Sequence, residues 1–248
     1  MCDSPATSDE HVPPKCLFPE QKDVAGRDFR ANLITVPSCE AHNSKKSKDD
    51  EFLMVSIAGI IGNNSVGFHH KLTKVNRAIR RSAGRLLAVA FKSRQHFVVE
   101  TRDNKFLDVI WGTPDYVRLE QCFHNISLGI YYHHFNARFA GRLKVFMGHL
   151  HHRENNPATF SRFMKHKASL DLAAEAQLGS NPDVFFYQFA QPDEFGLIML
   201  RLCFYQGVNI YVSFIPEGVD LPANVAMEFI KHGVKTYINL EDKTYEFN

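Results

Sequence analysis

The chain has 248 residues, of which 44% are hydrophobic and 23% are charged, and its formal net charge is +2. This composition is ordinary for a globular protein, and the length allows one large domain or a small module joined to a larger one. No apolar run reaches the roughly eighteen residues of a membrane span, and the start MCDSPATSDEH lacks the features of a secretory signal, so we expect no membrane partner.

The cysteines are odd in number and irregular in spacing. There are five of them, at positions 2, 16, 39, 122 and 203. Without an export signal, this pattern favours a reducing compartment, with metal binding or burial rather than a disulfide framework. We therefore expect a cytoplasmic protein.

The first part of the chain, residues 1–52, is rich in Pro, Cys, Asp, Lys and Ser and has little apolar periodicity. A segment of this size buries little apolar surface by itself and usually needs a metal or a host domain to fold. The sequence therefore predicts a small loop-rich module over 1–52 and a second domain over 53–248.

A basic amphipathic helix is predicted over about 70–90. At about 100° per residue, one arc collects the apolar residues Leu72, Val75, Ile79, Ala83 and Leu86. The opposite arc collects the cations Lys74, Arg77, Arg81 and Arg85. Residues 52–99 contain eight Lys and Arg residues and no Asp or Glu, which favours a surface that faces a polyanion. The alternative is the solvated face of a helix packed on a core.

The remainder of the chain predicts a mixture of helices and antiparallel strands. Residues 95–110 predict a hairpin with Asp103 and Asn104 in its turn, and residues 116–139 a mostly helical segment. A second amphipathic helix is predicted over 159–178, closed by Gly179. Strand candidates rich in Phe, Tyr, Val and Ile follow at 184–191, 197–204 and 208–215, with a final pair around 235–246. These elements predict an α+β fold with a C-terminal antiparallel sheet.

The residues with candidate chemistry lie in the N-terminal module, within SDEHVPP at 8–14, NLITVP at 32–37, CEAHN at 39–43 and SKDD at 47–50. Phosphodiester hydrolysis needs a neutral imidazole that accepts a proton, typically worth ~10²–10⁴-fold, and a hard divalent cation held by oxygen ligands. Glu10 and His11 place a carboxylate and an imidazole side by side. On a regular strand they would point to opposite faces, so the pair predicts a bulge or distortion there.

The order of these residues resembles the HNH endonuclease family, in which an acidic residue and His precede (Val/Ile)-x-Pro, then Asn-Leu, Cys-x-x-(Cys/His)-Asn and Ser-Lys-Asp. It is most similar to the bacterial branch with a zinc-stapled ββα-metal finger, and the resemblance covers about residues 2–50. It implies that Glu10 and Asn43 bind a catalytic Mg²⁺, Mn²⁺ or Ni²⁺ ion, that His11 is the general base and that Asn32 orients the His11 ring.

The same resemblance implies a structural zinc site. Cys39 and His42 would supply half of it, and Cys2 matches the second cysteine of an N-terminal Cys-x-x-Cys whose first cysteine would lie one residue upstream of Met1. Structural zinc sites normally have four ligands, so either the sequence given starts too late or the module supplies only three. Cys16 is an alternative fourth ligand, although its position does not match the pattern.

The predicted function is therefore that of a metal-dependent endonuclease acting on DNA, with RNA as a second candidate substrate. The cations Lys74, Arg77, Arg81 and Arg85 would hold the nucleic-acid backbone without reading its sequence. Two alternatives stay open: a catalytically inactive nucleic-acid-binding module, and a protein-interaction module. The sequence predicts no particular oligomeric state.

Overall fold

The computed structural model describes residues 5–100, 102, 106–150, 154–194, 196–219, 224–240 and 243–248. These residues form both helices and antiparallel sheets, so the predicted α+β class is confirmed. In this part of the chain, no helix is long and apolar enough to cross a bilayer.

The helices are α1 (Glu40–Ile57), α2 (Ser65–His70), α3 (Asn76–Arg81), α4 (Arg85–Ala90), α5 (Tyr116–Phe135), α6 (Asn155–Asp171) and α7 (Asn224–Lys231). Short 3-10 turns occupy Lys15–Leu17 and Gln21–Asp23, and a π-helical turn, Lys71–Val75, joins α2 to α3. The first strands are β1 (Ser8–His11), β2 (Thr35–Ser38), β3 (Phe91–Glu100), β4 (Phe106–Pro114) and β5 (Gly141–Met147). They are followed by β6 (Leu178–Asn181), β7 (Phe185–Phe189), β8 (Ile198–Phe204), β9 (Val208–Pro216), β10 (Thr236–Leu240) and β11 (Lys243–Phe247).

The described strands form one larger sheet and three small ones. The larger sheet has the order β5-β9-β8-β7-β6, and the two-stranded sheets are β1–β2, β3–β4 and β10–β11. All three small sheets and the β5–β9 pair are antiparallel. The chain divides into two compact units, and β7 and β8 each supply residues to both.

The first unit comprises Met1–Phe139, Leu178–Phe186 and Cys203–Val208. Its core contains the apolar second half of α1 and the inner face of α5, because both present runs or spaced sets of large apolar side chains. The ring of Phe204 lies 6.1 Å from that of Phe123 on α5 and 5.0 Å from that of Phe185. The late segments of the chain therefore complete a core that begins near the N-terminus.

The second unit comprises Ala140–Gln177, Tyr187–Leu202 and Asn209–Asn248. Helix α6 packs here on the sheet through a buried cluster of Ala168, Leu172, Ala190 and Tyr211. Phe146 and Met199, both partly buried, pack against this cluster.

The prediction of one uninterrupted helix over 70–90 is wrong. The helical segment ends at Arg81, and Ala83 and Gly84 then adopt positive φ angles of 50° and 78° before α4 begins. A residue with positive φ leaves the right-handed helical region, so the hydrogen-bond ladder stops there. The predicted basic helix face is consequently divided among the π-helical turn with Lys74, α3 with Arg77 and Arg81, and α4 with Arg85.

Other predicted elements agree more closely with the structure. The strands predicted at 184–191, 197–204 and 208–215 correspond to β7, β8 and β9, and the pair around 235–246 corresponds to β10 and β11. The predicted hairpin corresponds to β3–β4, although its turn residues Asp103 and Asn104 lie outside the described residues. The predicted domain boundary after residue 52 falls inside α1, which continues across it.

Candidate active site

The N-terminal segment of the first unit folds as strand, strand and helix. Strand β1 pairs with β2 in antiparallel register, with Glu10 opposite Val36 and His11 opposite Thr35. Cys39 is the N-cap of α1, which follows β2 directly, and Asn43 lies in its first turn. The backbone therefore brings the end of β1 and the start of α1 into one short hairpin–helix segment.

Glu10 and His11 are neighbours in a regular ladder. Their register with β2 is continuous, and the pairing extends beyond His11 through a 2.9 Å hydrogen bond from the Val12 amide to the Ile34 carbonyl. Consecutive side chains of a regular strand point to opposite faces. The bulge expected between Glu10 and His11 is therefore absent, and their side chains leave β1 on different sides.

His11 has a buried ring nitrogen with an unused hydrogen-bonding capacity. Its Nδ1 atom is buried and has no hydrogen-bond partner within the described part of the chain. Burial lowers the pKa of His11, and the nearby cations Lys15 and Arg30 lower it further, whereas Glu10 acts in the opposite direction. An unsatisfied buried polar group typically costs about 1–3 kcal/mol, so this atom calls for an explanation by function or by bound solvent.

The backbone around His11 is held by contacts from distant elements. Val12 is buried against α5, where Gly129 leaves so little room that a Cβ atom there would lie 2.9 Å from both γ-methyl groups of Val12. Arg30 donates from Nε and Nη2 to the Phe18 carbonyl at 3.1 and 3.0 Å. These contacts fix the path of the chain on both sides of the 3-10 turn that follows His11.

Asn32 lies in the turn before β2 and is exposed, with a positive φ of 52°. Asparagine tolerates this left-handed conformation better than most residues. Among the described contacts, its amide makes no hydrogen bond to His11, whose Nδ1 has no partner there. The orienting role expected of Asn32 therefore stays a prediction.

The predicted metal ligands are only partly described. Glu10 is half-buried and Cys39 is buried, but Cys2 and the side chains of His42 and Asn43 lie outside the described part. Among the described side chains, no group of three or more His, Cys, Asp and Glu residues is placed to hold a metal ion. A carboxylate at Glu10 suits a hard cation and a thiol at Cys39 suits zinc, so the chemistry of the described donors fits both predicted sites.

Cys16, the alternative fourth zinc ligand, is engaged with α1. Its thiol donates to the Asp50 carbonyl over 3.3 Å. Burial raises the pKa of Cys16 to about 12, with the carboxylate of Asp50 adding to the shift. A zinc ligand is a thiolate, so Cys16 would lose this hydrogen bond to α1 on binding zinc.

Two of the four cations predicted to bind phosphate have carboxylate partners within the protein. Lys74 lies 3.4 Å from Glu20, with 17% of its side chain exposed, and burial lowers its pKa. Arg77 binds Asp23 through two hydrogen bonds. Lys74 and Arg77 are thus engaged within the protein, although Glu20 is shared with Lys22 and Arg30. Their partners lie more than fifty residues upstream, and no local sequence pattern indicates either pair.

Arg81 and Arg85 differ from Lys74 and Arg77. Both are exposed, and neither forms an ion pair among the described residues. The Arg85 side chain makes a local hydrogen bond, from Nε to the Ser82 carbonyl at 3.1 Å. Their charges are therefore available to a ligand.

Comparison with known proteins gives no relative from which a function can be transferred. No protein-family model, no curated protein and no solved structure matches the chain. A proposed function therefore rests on the side chains of this protein and their geometry.

Proposed function

We propose that this protein is a metal-dependent endonuclease that hydrolyses DNA phosphodiester bonds, with His11 as the general base. The observation that carries the proposal is the strand–strand–helix order of residues 8–57. Glu10 and His11 lie at the end of the first strand, and Asn43 lies in the first turn of the helix. This is the order of elements in the ββα-metal finger of the HNH family, which the sequence resembles.

In this proposal, the carboxylate of Glu10 and the side-chain oxygen of Asn43 hold Mg²⁺, Mn²⁺ or Ni²⁺. The bound ion would neutralise charge on the scissile phosphate and on the leaving oxygen. His11, whose imidazole is held largely neutral because burial lowers its pKa, accepts a proton from the attacking water. Asn32 orients the ring.

The structural zinc ion in this proposal is held by Cys2, Cys39 and His42. A zinc site that closes the start of α1 against the N-terminal residues would stabilise a segment with little core of its own. None of the four described cysteines forms a disulfide, and the proposal includes a cytoplasmic location because the irregular cysteine spacing favours a reducing compartment.

One observation favours a second candidate function, a nucleic-acid-binding module without activity. Because the register of β1 is regular, Glu10 and His11 do not share a face of the strand. A single water molecule between a Glu10-bound cation and the His11 ring requires both side chains on one side. His11→Ala and Glu10→Gln therefore test the base and the metal ligand separately.

The test is cleavage by the purified full-length chain, incubated with plasmid DNA, single-stranded DNA and RNA in Mg²⁺, Mn²⁺ or EDTA. We expect divalent-dependent cutting of DNA, a loss of ~10²–10⁴-fold in rate for His11→Ala, and a comparable loss for Glu10→Gln. His133→Ala, which changes an exposed histidine on α5, is the matched control and should cut like the parent.

Equal cutting by His11→Ala and the parent would overturn the assignment of the base. DNA binding without cutting in any of these divalent metals would establish the binding-only alternative. The zinc site is tested independently by metal analysis, and a folded protein without bound zinc would overturn it.

A further inference from the structure

Five exposed cations follow one another from α3 into β3. They are Arg80, Arg81, Arg85, Lys92 and Arg94. Within the described part of the chain, none of them is joined to a carboxylate in an ion pair, in contrast to Lys74 and Arg77. Residues 52–99 contain no Asp or Glu, so no acidic residue interrupts this series in the sequence, and all five cations belong to the first unit.

A cleft of about 480 Å³ opens beside α3 and α4. Arg81 and Arg85 line it together with the apolar side chains of Leu86 and Val89. Glu51 of α1 supplies a carboxylate to the lining, so the two guanidinium groups leave the cleft with net positive charge. A cleft of this kind suits a ligand that has an anionic part beside an apolar one.

The hairpin β3–β4 continues directly from α4. Every residue from Lys92 to Glu100 is exposed, so neither face of this part of β3 is covered. Phe97 is 48% exposed and Trp111 is 42% exposed. The register pairs Trp111 with Gln95 and Phe97 with Val109, which places both aromatic rings on the same face of the hairpin. Large apolar side chains exposed in this way mark an interaction surface.

We propose that these features form one docking surface for duplex DNA, called here the basic ribbon surface and defined by Arg80, Arg81, Arg85, Lys92, Arg94, Phe97 and Trp111. The cations contact phosphates, and the two-stranded ribbon enters a groove. A two-stranded antiparallel ribbon fits the major groove, which is about 12 Å wide. The choice of DNA as the polyanion rests on the proposed nuclease function.

The charge distribution favours this occupant. Phosphates on both sides of a groove are complementary to cations at the base of the ribbon, and thymine methyl groups in the major groove offer apolar contacts to the exposed parts of Phe97 and Trp111. The proposal assigns the cations to phosphates, and phosphate contacts carry no sequence information. We therefore expect binding without strong sequence preference.

The first experiment measures the affinity of the full-length protein for a short fluorescent duplex at several salt concentrations. No Mg²⁺ or Mn²⁺ is added and no chelator is used, which separates binding from cleavage without removing structural zinc. Lys92→Ala/Arg94→Ala should weaken binding at least about tenfold and reduce the slope of log affinity against log salt by about two, since each phosphate contact contributes roughly 0.9. The matched control is Arg142→Ala/Lys144→Ala, which removes an exposed Arg and Lys at the same spacing on β5 and should leave both unchanged.

The second experiment tests the apolar part of the surface. Phe97→Ser/Trp111→Ser should weaken duplex binding about tenfold while leaving the salt slope unchanged, because apolar contacts release no counterions. Thermal melting checks that each variant is folded. Arg81→Ala/Arg85→Ala, which changes only exposed side chains, tests the same surface if the aromatic variant does not fold.

Unchanged affinity in the three double variants would overturn the inference, as would equal binding of single-stranded DNA and duplex. His11→Ala separates this inference from the proposed function. If His11→Ala abolishes cutting while the surface variants bind normally, the nuclease function stands and the docking surface does not. If the surface variants lose binding and the parent never cuts, the docking surface stands without the nuclease function.

Discussion

Arg77 holds Asp23 through two hydrogen bonds, from Nη1 to Oδ1 at 2.8 Å and from Nη2 to Oδ2 at 2.6 Å. The pair ties the 3-10 turn Gln21–Asp23 to helix α3, and only 7% of the Asp23 side chain is exposed. The Arg77 hydrogen bonds lower the pKa of Asp23. An arginine that the sequence assigns to nucleic-acid binding therefore has a structural role.

Arg77→Ala should lower the free energy of unfolding by about 1 kcal/mol and leave DNA affinity unchanged, because it breaks a bidentate pair and removes no free charge. Arg80→Ala, on the same helix, should lower DNA affinity and leave the free energy of unfolding nearly unchanged, because Arg80 is exposed and has no ion pair among the described residues. Urea denaturation and duplex binding measure the two effects. A loss of affinity in Arg77→Ala as large as that in Arg80→Ala would contradict this division.

The free energy of unfolding should decrease as the pH is lowered, because of His70. The residue is fully buried, its Nε2 lies 3.1 Å from the Cys16 carbonyl, and burial together with the nearby Lys74 lowers its pKa from 6.5 to about 4. Between these two values the unfolded chain binds a proton that the folded chain does not. His70 therefore contributes stability that is complete above pH 6.5 and is lost as the pH falls towards 4, by up to about 3 kcal/mol.

Urea denaturation at a series of pH values between 4 and 7 tests this expectation. His70→Gln keeps an N–H donor but does not titrate, so it should flatten the dependence over this window even if the variant is less stable at pH 7. His133→Gln, at an exposed position, should retain the slope of the parent. A His70→Gln variant with the slope of the parent would show that another group titrates.

Gly129→Ala should destabilise the protein although alanine favours helices. Helix propensity alone would stabilise the variant by up to about 1 kcal/mol. A Cβ atom at this position, however, would lie 2.9 Å from both γ-methyl groups of the buried Val12, next to His11. Overpacking of this kind typically costs about 1–3 kcal/mol, so a net loss is expected in denaturant titration, with reduced cutting. A more stable variant would show that Val12 moves enough to accommodate the added methyl group.

Tyr205→Phe should lower the free energy of unfolding by about 1–3 kcal/mol. The Tyr205 hydroxyl is fully buried and donates to the Leu17 carbonyl over 2.6 Å, so its removal leaves a buried carbonyl without this partner. Tyr116→Phe changes an exposed tyrosine at the start of α5 and is the matched control. Equal stability of Tyr205→Phe and the parent would mean that the Leu17 carbonyl finds another donor.

Much of the C-terminal sheet could be predicted because its strands are continuous apolar runs separated by turn residues. Helix α1 was implied only by the family resemblance and not by apolar periodicity, for the opposite reason. Its polar residues come first and its apolar residues follow in one run at the end, so the helix has no 3.6-residue period. In the second half of α1, side chains on every face of the helix are buried, rather than those of one face alone.

The candidate site shows a similar limit. The order of Glu10, His11 and Asn43 along the chain predicted that all three belong to one segment of two strands and a helix. The regular register at Glu10 and the partners of Lys74 and Arg77 could not be predicted, because they depend on contacts between segments far apart in sequence. The break at Ala83 and Gly84 had only a single glycine as its indication.

The hydrogen bond between Tyr205 and Leu17 joins residues 188 positions apart, and the first unit includes Cys203–Val208 as well as Met1–Phe139. During synthesis on the ribosome, the N-terminal residues emerge long before their last partners exist. The core around Leu17 therefore lacks Tyr205 until about four-fifths of the polypeptide has been translated. The first unit can complete its packing only after that point, although β1 and β2 pair through residues close together in sequence.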